Sequence, residues 1–222
     1  MLCLWAAKGG AGCSVTAASL AVLSARYRST LLVDMGGDGS AICGVDEPRL
    51  GLKDWLGAED PPPDALARLE VPVVERLSLL ALGAGGEAGE ISVDGRSERL
   101  AVLSQWLAAD SRVVVVDCGS DSRLFGPVVQ ASDYSLLVTR ACYLSLRTAA
   151  SGFVLHGGKP DGVIVVREAG RSLDKSDIAY AVGAPVVATV GWSAKIARSV
   201  DAGILCTRPP KALRPLEALI AF

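Results

Sequence analysis

The sequence is nearly without histidine: His156 is the only one in 222 residues. Its six cysteines, at positions 3, 13, 43, 118, 142 and 206, form no C-x-x-C pair. These two absences argue against a zinc site. His156 itself lies in His156-Gly157-Gly158-Lys159-Pro160, and no Ser, Cys or Asp motif points to it as a base, so it reads as a loop residue. No stretch reaches the run of about 18 apolar residues that a membrane span needs. The start, Met1-Leu2-Cys3-Leu4-Trp5-Ala6-Ala7, is too short for a signal peptide and lacks a basic leader. A net charge of −2 gives no global pull toward nucleic acid or anionic membrane. Several cysteines fall in apolar runs, where the free thiol packs as a small hydrophobe. A reducing, cytoplasmic location is therefore expected.

What the chain does have is apolar content, half of all residues against 21% charged, which marks a well-buried globular protein. Short apolar runs at 2–7, 30–34, 77–82, 113–117, 134–139, 162–166 and 185–190 read as strands buried on both faces. Helical patterns at 14–27, 96–109, 145–155, 175–182 and 193–202 lie between them. The alternation implies one α/β domain over 1–222, a mainly parallel twisted sheet with helices on both faces. Residues 51–72, with Trp55 and Pro61-Pro62-Pro63, read as an insertion, and Gly-rich 83–95 as a loop.

The first strand runs into Lys8-Gly9-Gly10-Ala11-Gly12-Cys13-Ser14, followed by a helix of small residues. Glycines allow backbone N–H groups to turn inward around an anion, and the helix N-terminus adds its positive end. The Ser14 hydroxyl is placed to meet Mg²⁺. The common pattern G-x-x-x-x-G-K-[ST] fails at Ala7 and Cys13, whereas the deviant form K-G-G-x-G-K-[ST] fits through Gly12.

That deviant loop resembles the ParA/MinD family of P-loop (SIMIBI-like) ATPases, including its CpaE/TadZ-type members. Leu31-Leu32-Val33-Asp34 resembles the family's second-strand motif, and Val113-Val114-Val115-Val116-Asp117 its Walker B strand. Ala184-Pro185-Val186-Val187 and Val200-Asp201-Ala202-Gly203 resemble two later motifs in the same order. The resemblance implies ATP and Mg²⁺ as cofactors, held by Lys8, Gly9, Gly10, Ala11, Gly12, Cys13 and Ser14, with Ser14, Asp34 and Asp117 around the metal. It also implies a homodimer in which Lys8 reaches the partner's phosphates, and a protein partner in a positioning, pilus, secretion or division system.

Three positions depart from the family pattern. Cys13 stands where the phosphate-binding lysine would be, Gly36 where an Asp positions the attacking water, and Val166 where an Asn meets adenine. Asp38 is the nearby substitute for the missing carboxylate. The leading expectation is a positioning or assembly protein that binds ATP with weak or absent hydrolysis. An active Mg-dependent ATPase rescued by Asp38 and Lys8, and a nucleotide-free scaffold, are the alternatives. Lys8 either meets a phosphate or pairs with Asp34 or Asp117. Cys13 is either a tolerated small residue or a thiol activated at a helix N-terminus. Restoring the lysine by Cys13→Lys is expected to strengthen ATP binding, and adding Gly36→Asp to recover turnover.

Near the end of the chain, Lys195, Arg198, Arg208, Lys211 and Arg214 form a basic cluster. Such clusters bind DNA without sequence preference, and the resemblance points the same way. Leu213, Leu216, Leu219, Ile220 and Phe222 suit a helix packed on the sheet, and Pro215 with few cations argues against membrane binding.

Overall fold

A computed structural model describes residues 1–84, 93–120, 126–152 and 158–220. His156, the end of the helix expected to reach Leu155, most of the expected 83–95 loop and Phe222 lie outside the described residues.

The valine- and leucine-rich runs form β1 (Leu2–Trp5), β2 (Thr30–Asp34), β4 (Leu77–Leu80), β5 (Val113–Asp117), β6 (Tyr134–Arg140), β7 (Gly162–Arg167) and β8 (Val186–Gly191). With β3 (Glu70–Val74) they make one eight-stranded sheet in the order β3-β4-β2-β5-β1-β6-β7-β8. All neighbours pair in parallel except β3 and β4. Successive side chains on a strand point to opposite faces, so each strand feeds two cores. Cys3 and Trp5 of β1 join one, Leu4 and Ala6 the other. The first core is closed by α3 (Leu52–Gly57), α5 (Val93–Ala108), α6 (Gly126–Gln130), α7 (Tyr143–Gly152) and α8 (Lys175–Val182). The second is closed by α1 (Cys13–Ala25), α2 (Gly39–Cys43) and α9 (Ala194–Asp201). α1 is buried almost all round, which its small residues permit by letting the helix lie close on the strands. The short α4 (Ala65–Arg68) precedes β3.

β3 is an element the sequence reading missed, since Pro72 interrupts the apolar run and placed it in the insertion. On an antiparallel edge strand the lost N–H is harmless, and a bulge lies between Pro72 and Val74. The expected loop over 83–95 is also shortened, because α5 begins at Val93. The C-terminal segment is a 3-10 helix, Lys211–Leu219, with Pro215 inside it. It packs Leu213 and Leu216 into the second core, as its apolar side suggests.

β3 is tied to the rest through Arg112. Its guanidinium forks to Glu70 at 2.7 Å and to Asp110 at 2.6 Å, with all three side chains at most a quarter exposed. Removing the cation leaves two carboxylates facing each other in a poorly solvated place. Arg112→Ala is therefore expected to lower unfolding free energy by about 2 kcal/mol, measured as a shift in the urea midpoint.

Candidate functional site

Parallel pairing brings the C-terminal ends of β1, β2 and β5 together. Asp34 and Asp117 are Cα partners in register, and Leu4 of β1 pairs with Asp117. The loops leaving these strands are stitched to one another. Ala6 N–H donates to the Gly119 carbonyl at 2.9 Å, Met35 N–H to the Asp117 carbonyl at 2.9 Å, and Cys118 N–H to the Leu4 carbonyl at 2.8 Å. Above them the glycine loop turns into α1, with Gly10 and Gly12 at φ of 75° and 91°. These values favour glycine over any residue with a Cβ. Thr16 closes the first turn, its N–H and hydroxyl both donating to the Gly12 carbonyl.

The loop bounds a cleft of about 320 Å³. Lys8, Gly9, Gly10, Ala11, Gly12, Cys13 and Ser14 all line it, together with Gly36, Asp38, Gly119 and Ser120. Lys8 and Asp38 are exposed at its mouth. Lys8 makes no ion pair with Asp34 or Asp117 among the described residues, so the salt-bridge reading of that lysine is not what the structure shows.

The two aspartates are both buried but differently employed. Asp34 accepts three backbone N–H bonds, from Gly36 (3.0 Å) and Gly37 (2.7 Å) on Oδ1 and from Gly39 (2.8 Å) on Oδ2. It holds the turn that leads into α2. Burial pushes its carboxyl up to about 6 against the opposing pull of these N–H groups, and the neighbouring Asp117 charge adds to the rise. Asp117 accepts the Gly119 N–H on Oδ1 at 3.0 Å, while its Oδ2 is buried without a hydrogen-bond partner. Burial raises this carboxyl too, although the Ser14 hydroxyl beside it pulls the other way. A Cβ at Gly36 would lie 2.9 Å from Asp117 Oδ2 and 3.3 Å from Ser14 Oγ. One small space is thus bounded by a carboxylate oxygen lacking a partner and by a hydroxyl.

That donor pair fits Mg²⁺, which commonly takes one or two protein oxygens and completes its shell with water and phosphate. Of the three expected metal residues, Asp34 already accepts three backbone N–H bonds, whereas Ser14 and Asp117 border this space. The same contact bears on Gly36→Asp, the change expected to recover turnover. The added side chain would press on Asp117 Oδ2 and enter the space between the two oxygens.

Cys13 is buried beside Asp117. Burial first, then the Asp117 charge, pushes its thiol well above the usual range. An activated thiol at the helix N-terminus is therefore not what this position provides. A lysine there would set a positive charge against two buried carboxylates; the thiol leaves them uncompensated.

Val166 lies at the other side of the loop, its Cγ2 3.4 Å from where a Gly12 Cβ would be. With Val15, Val190, Trp192, Ile196 and Leu213 it lines an apolar recess of about 310 Å³. Gly119 and Ser120 escaped the sequence reading. The available signal was a repeated Asp-x-Gly, Asp34-Met35-Gly36 and Asp117-Cys118-Gly119, at the ends of adjacent strands. A larger groove of about 1200 Å³ opens among Met1, Arg112, Tyr134 and Ile220. It gathers the N-terminal ends of strands, whereas ligands of open α/β sheets bind beyond the carboxyl ends.

Comparison with solved structures agrees with this topology. A ParA family ATPase from Chlorobium tepidum TLS superposes with a TM-score of 0.77 at 18% identity, over 99% of this chain and 97% of that one. The chain has the ParA/MinD fold. The septum site-determining protein MinD from Pyrococcus horikoshii OT3, solved with Mg-ADP, gives 0.74 at 19% identity over 99% and 93%. Aquifex aeolicus MinD in its complex with MinC gives 0.74 at 16% over 99% and 93%. No protein-family model and no curated protein matches the sequence.

Two outcomes test the site. In metal-free buffer the raised Asp34 carboxyl makes the folded state bind a proton more tightly than the unfolded chain between about pH 4 and 6. Lowering the pH from 7 to 5 is therefore expected to add about 1 kcal/mol of stability through this group. Asp34→Asn should remove that increment from the urea midpoint. Separately, Gly36→Ala should weaken Mg²⁺-dependent binding of any nucleotide, read by titration with and without the metal.

Proposed function

We propose that this chain is a ParA/MinD-type positioning or assembly protein that binds ATP with Mg²⁺ and hydrolyses it weakly or not at all. The observation that carries the reading is the buried Asp117 Oδ2 without a partner, beside Ser14 and below an intact glycine loop. An anion with a divalent cation satisfies that oxygen, the loop N–H groups and the helix N-terminus together.

In this reading the loop backbone from Gly9 to Ser14 receives the phosphates, and Ser14 and Asp117 hold the metal. The bound metal neutralises phosphate charge. The apolar recess beside Val166 and Trp192 takes the base by packing. Hydrolysis is weak for two reasons on this chain. Cys13 contributes no positive charge to the transition state, and Gly36 carries no group to orient water. Asp38 is exposed at the cleft mouth and is the residual candidate for that second role.

The reading extends to partners. Lys8, exposed and without an acidic partner, suits contact with a second copy across the cleft mouth. The MinD of Aquifex aeolicus is seen with MinC, and a protein partner is proposed here by that likeness. Lys195, Arg198, Arg208, Lys211 and Arg214 are all exposed on α9, the 3-10 helix and the segment between them. None of the five is ion-paired among the described residues, so nonspecific DNA is a further proposed partner. No helix among the described residues is long and apolar enough to cross a membrane.

The test is ATP titration with Mg²⁺ followed by phosphate release, on the native chain, Cys13→Lys and Asp117→Asn. Expected are metal-dependent binding by the native chain, near-zero turnover, and loss of the metal dependence in Asp117→Asn. Cys13→Lys should bind ATP about tenfold more tightly, the scale of one charge-assisted contact to phosphate. If neither the native chain nor Cys13→Lys binds, the nucleotide reading is wrong. Brisk turnover abolished by Asp38→Ala would mean the water-orienting role has moved.

A further inference from the structure

The glycine loop has two sides. Lys8, Gly9, Gly10 and Ala11 wall the cleft described above, and they also wall a second pocket of about 420 Å³. Its other lining residues lie outside the phosphate cleft, although Arg140 also borders the apolar recess proposed for the base. Arg140 ends β6, Cys142, Tyr143 and Ser145 open α7, and Arg171 lies between β7 and α8.

The charge in this pocket is one-sided. Glu168 accepts from Arg140 Nη1 at 3.1 Å, and its other oxygen accepts from both Nε (2.9 Å) and Nη2 (2.5 Å) of Arg171. One carboxylate therefore fixes two guanidinium groups while cancelling one. Lys8 adds a third cation with no acidic partner among the described residues, leaving a surplus of two positive charges. Arg140 also keeps its Nε buried with no hydrogen-bond partner. A buried donor left unmade costs more than a made bond returns, so the arrangement favours an acceptor arriving from outside.

We propose that this pocket is a second anion site, taking a phosphate group on the outer wall of the glycine loop. A phosphate offers tetrahedral oxygens to Arg140, Arg171 and Lys8 at once, and two negative charges match the surplus. The site shares the glycine loop with the phosphate cleft, but neither arginine lines that cleft, and Arg171 lies outside the base recess as well. Its existence does not depend on ATP binding there.

Cys142 provides the reporter. It is the one half-buried cysteine; the other five are buried. Its thiol lies 3.1 Å from Ser145 Oγ. Burial pushes that thiol up, but the Ser145 contacts and the Arg171 and Lys8 charges outweigh it and hold the group below its ordinary value. A phosphate in the pocket covers the thiol and offsets the cations that favour its thiolate. Both effects slow alkylation.

The experiment is iodoacetamide labelling of the nucleotide-free protein in increasing inorganic phosphate. Ionic strength is held constant with potassium chloride, and the labelled residue is found by peptide mass. Expected is saturable protection of Cys142, weakened about tenfold by Arg171→Gln and by Arg140→Gln, and unchanged in Ser14→Ala. Arg171 is an exposed loop residue, so its variant keeps the test valid if Arg140→Gln folds poorly. Protection that is absent, that equals the chloride control, or that survives both arginine substitutions overturns the proposal. Protection abolished by Ser14→Ala overturns it as well, because the phosphate would then be in the nucleotide cleft.

Discussion

Two carboxylates buried side by side are the constraint around which the carboxyl edge of this sheet is arranged. Asp34 and Asp117 are 1% and 2% exposed at the ends of adjacent parallel strands. Their burial is tolerated by two different means. Asp34 is surrounded by three N–H groups of its own loop, which is only available because Gly36, Gly37 and Gly39 let the backbone fold back onto it. A Cβ on Gly39 would lie 2.7 Å from Asp34 Oδ2. Asp117 gets one N–H and keeps one oxygen unmet. The first arrangement is a finished structural turn; the second is a vacancy in hydrogen bonding that a cation can fill.

Cys13 has to be understood against that pair. Burial pushes both carboxylates toward their neutral forms, and the thiol opposes this only through its hydrogen bond to Asp117. A thiol at this point brings no positive charge to the pair. Gly36 belongs to the same account. A Cβ on Gly36 would crowd Asp117 Oδ2, and a Cβ on Gly119 would crowd the Gly36 Cα, so the two turns pack closely at this pair of glycines.

The sequence was most legible where one physical pattern dominated. Val113 to Asp117 is buried on both faces and could only be a central strand, and Lys8 to Ser14 could only be a turn before a helix. Both were placed correctly, as was the parallel sheet. The edge was less legible, since Pro72 has opposite meanings in a central and an edge strand, and pairing partners are not written locally. The Gly36–Asp117 contact was invisible for a related reason. It depends on the register of β2 against β5 across eighty residues of chain, and no local pattern encodes that a Gly36 Cβ would fall 2.9 Å from Asp117 Oδ2. The outer cationic pocket was likewise hidden, because Lys8, Arg140 and Arg171 meet only after β1, β6 and β7 have paired.

The glycine loop is consequently a shared wall, and that has a consequence for how charge works on either side of it. The inner face meets two buried carboxylates and has the neutral Cys13 at the start of α1, so its own field toward an anion is weak. The outer face holds three cations against one acid. Lys8 stands at the junction and lines both spaces. An anion on the outer face draws Lys8 away from the inner one, whereas a metal on the inner face reduces the need for it there. Anions on the two sides would therefore be coupled through this one exposed side chain. The binding linkage must be reciprocal, since the same free energy is shared by both events.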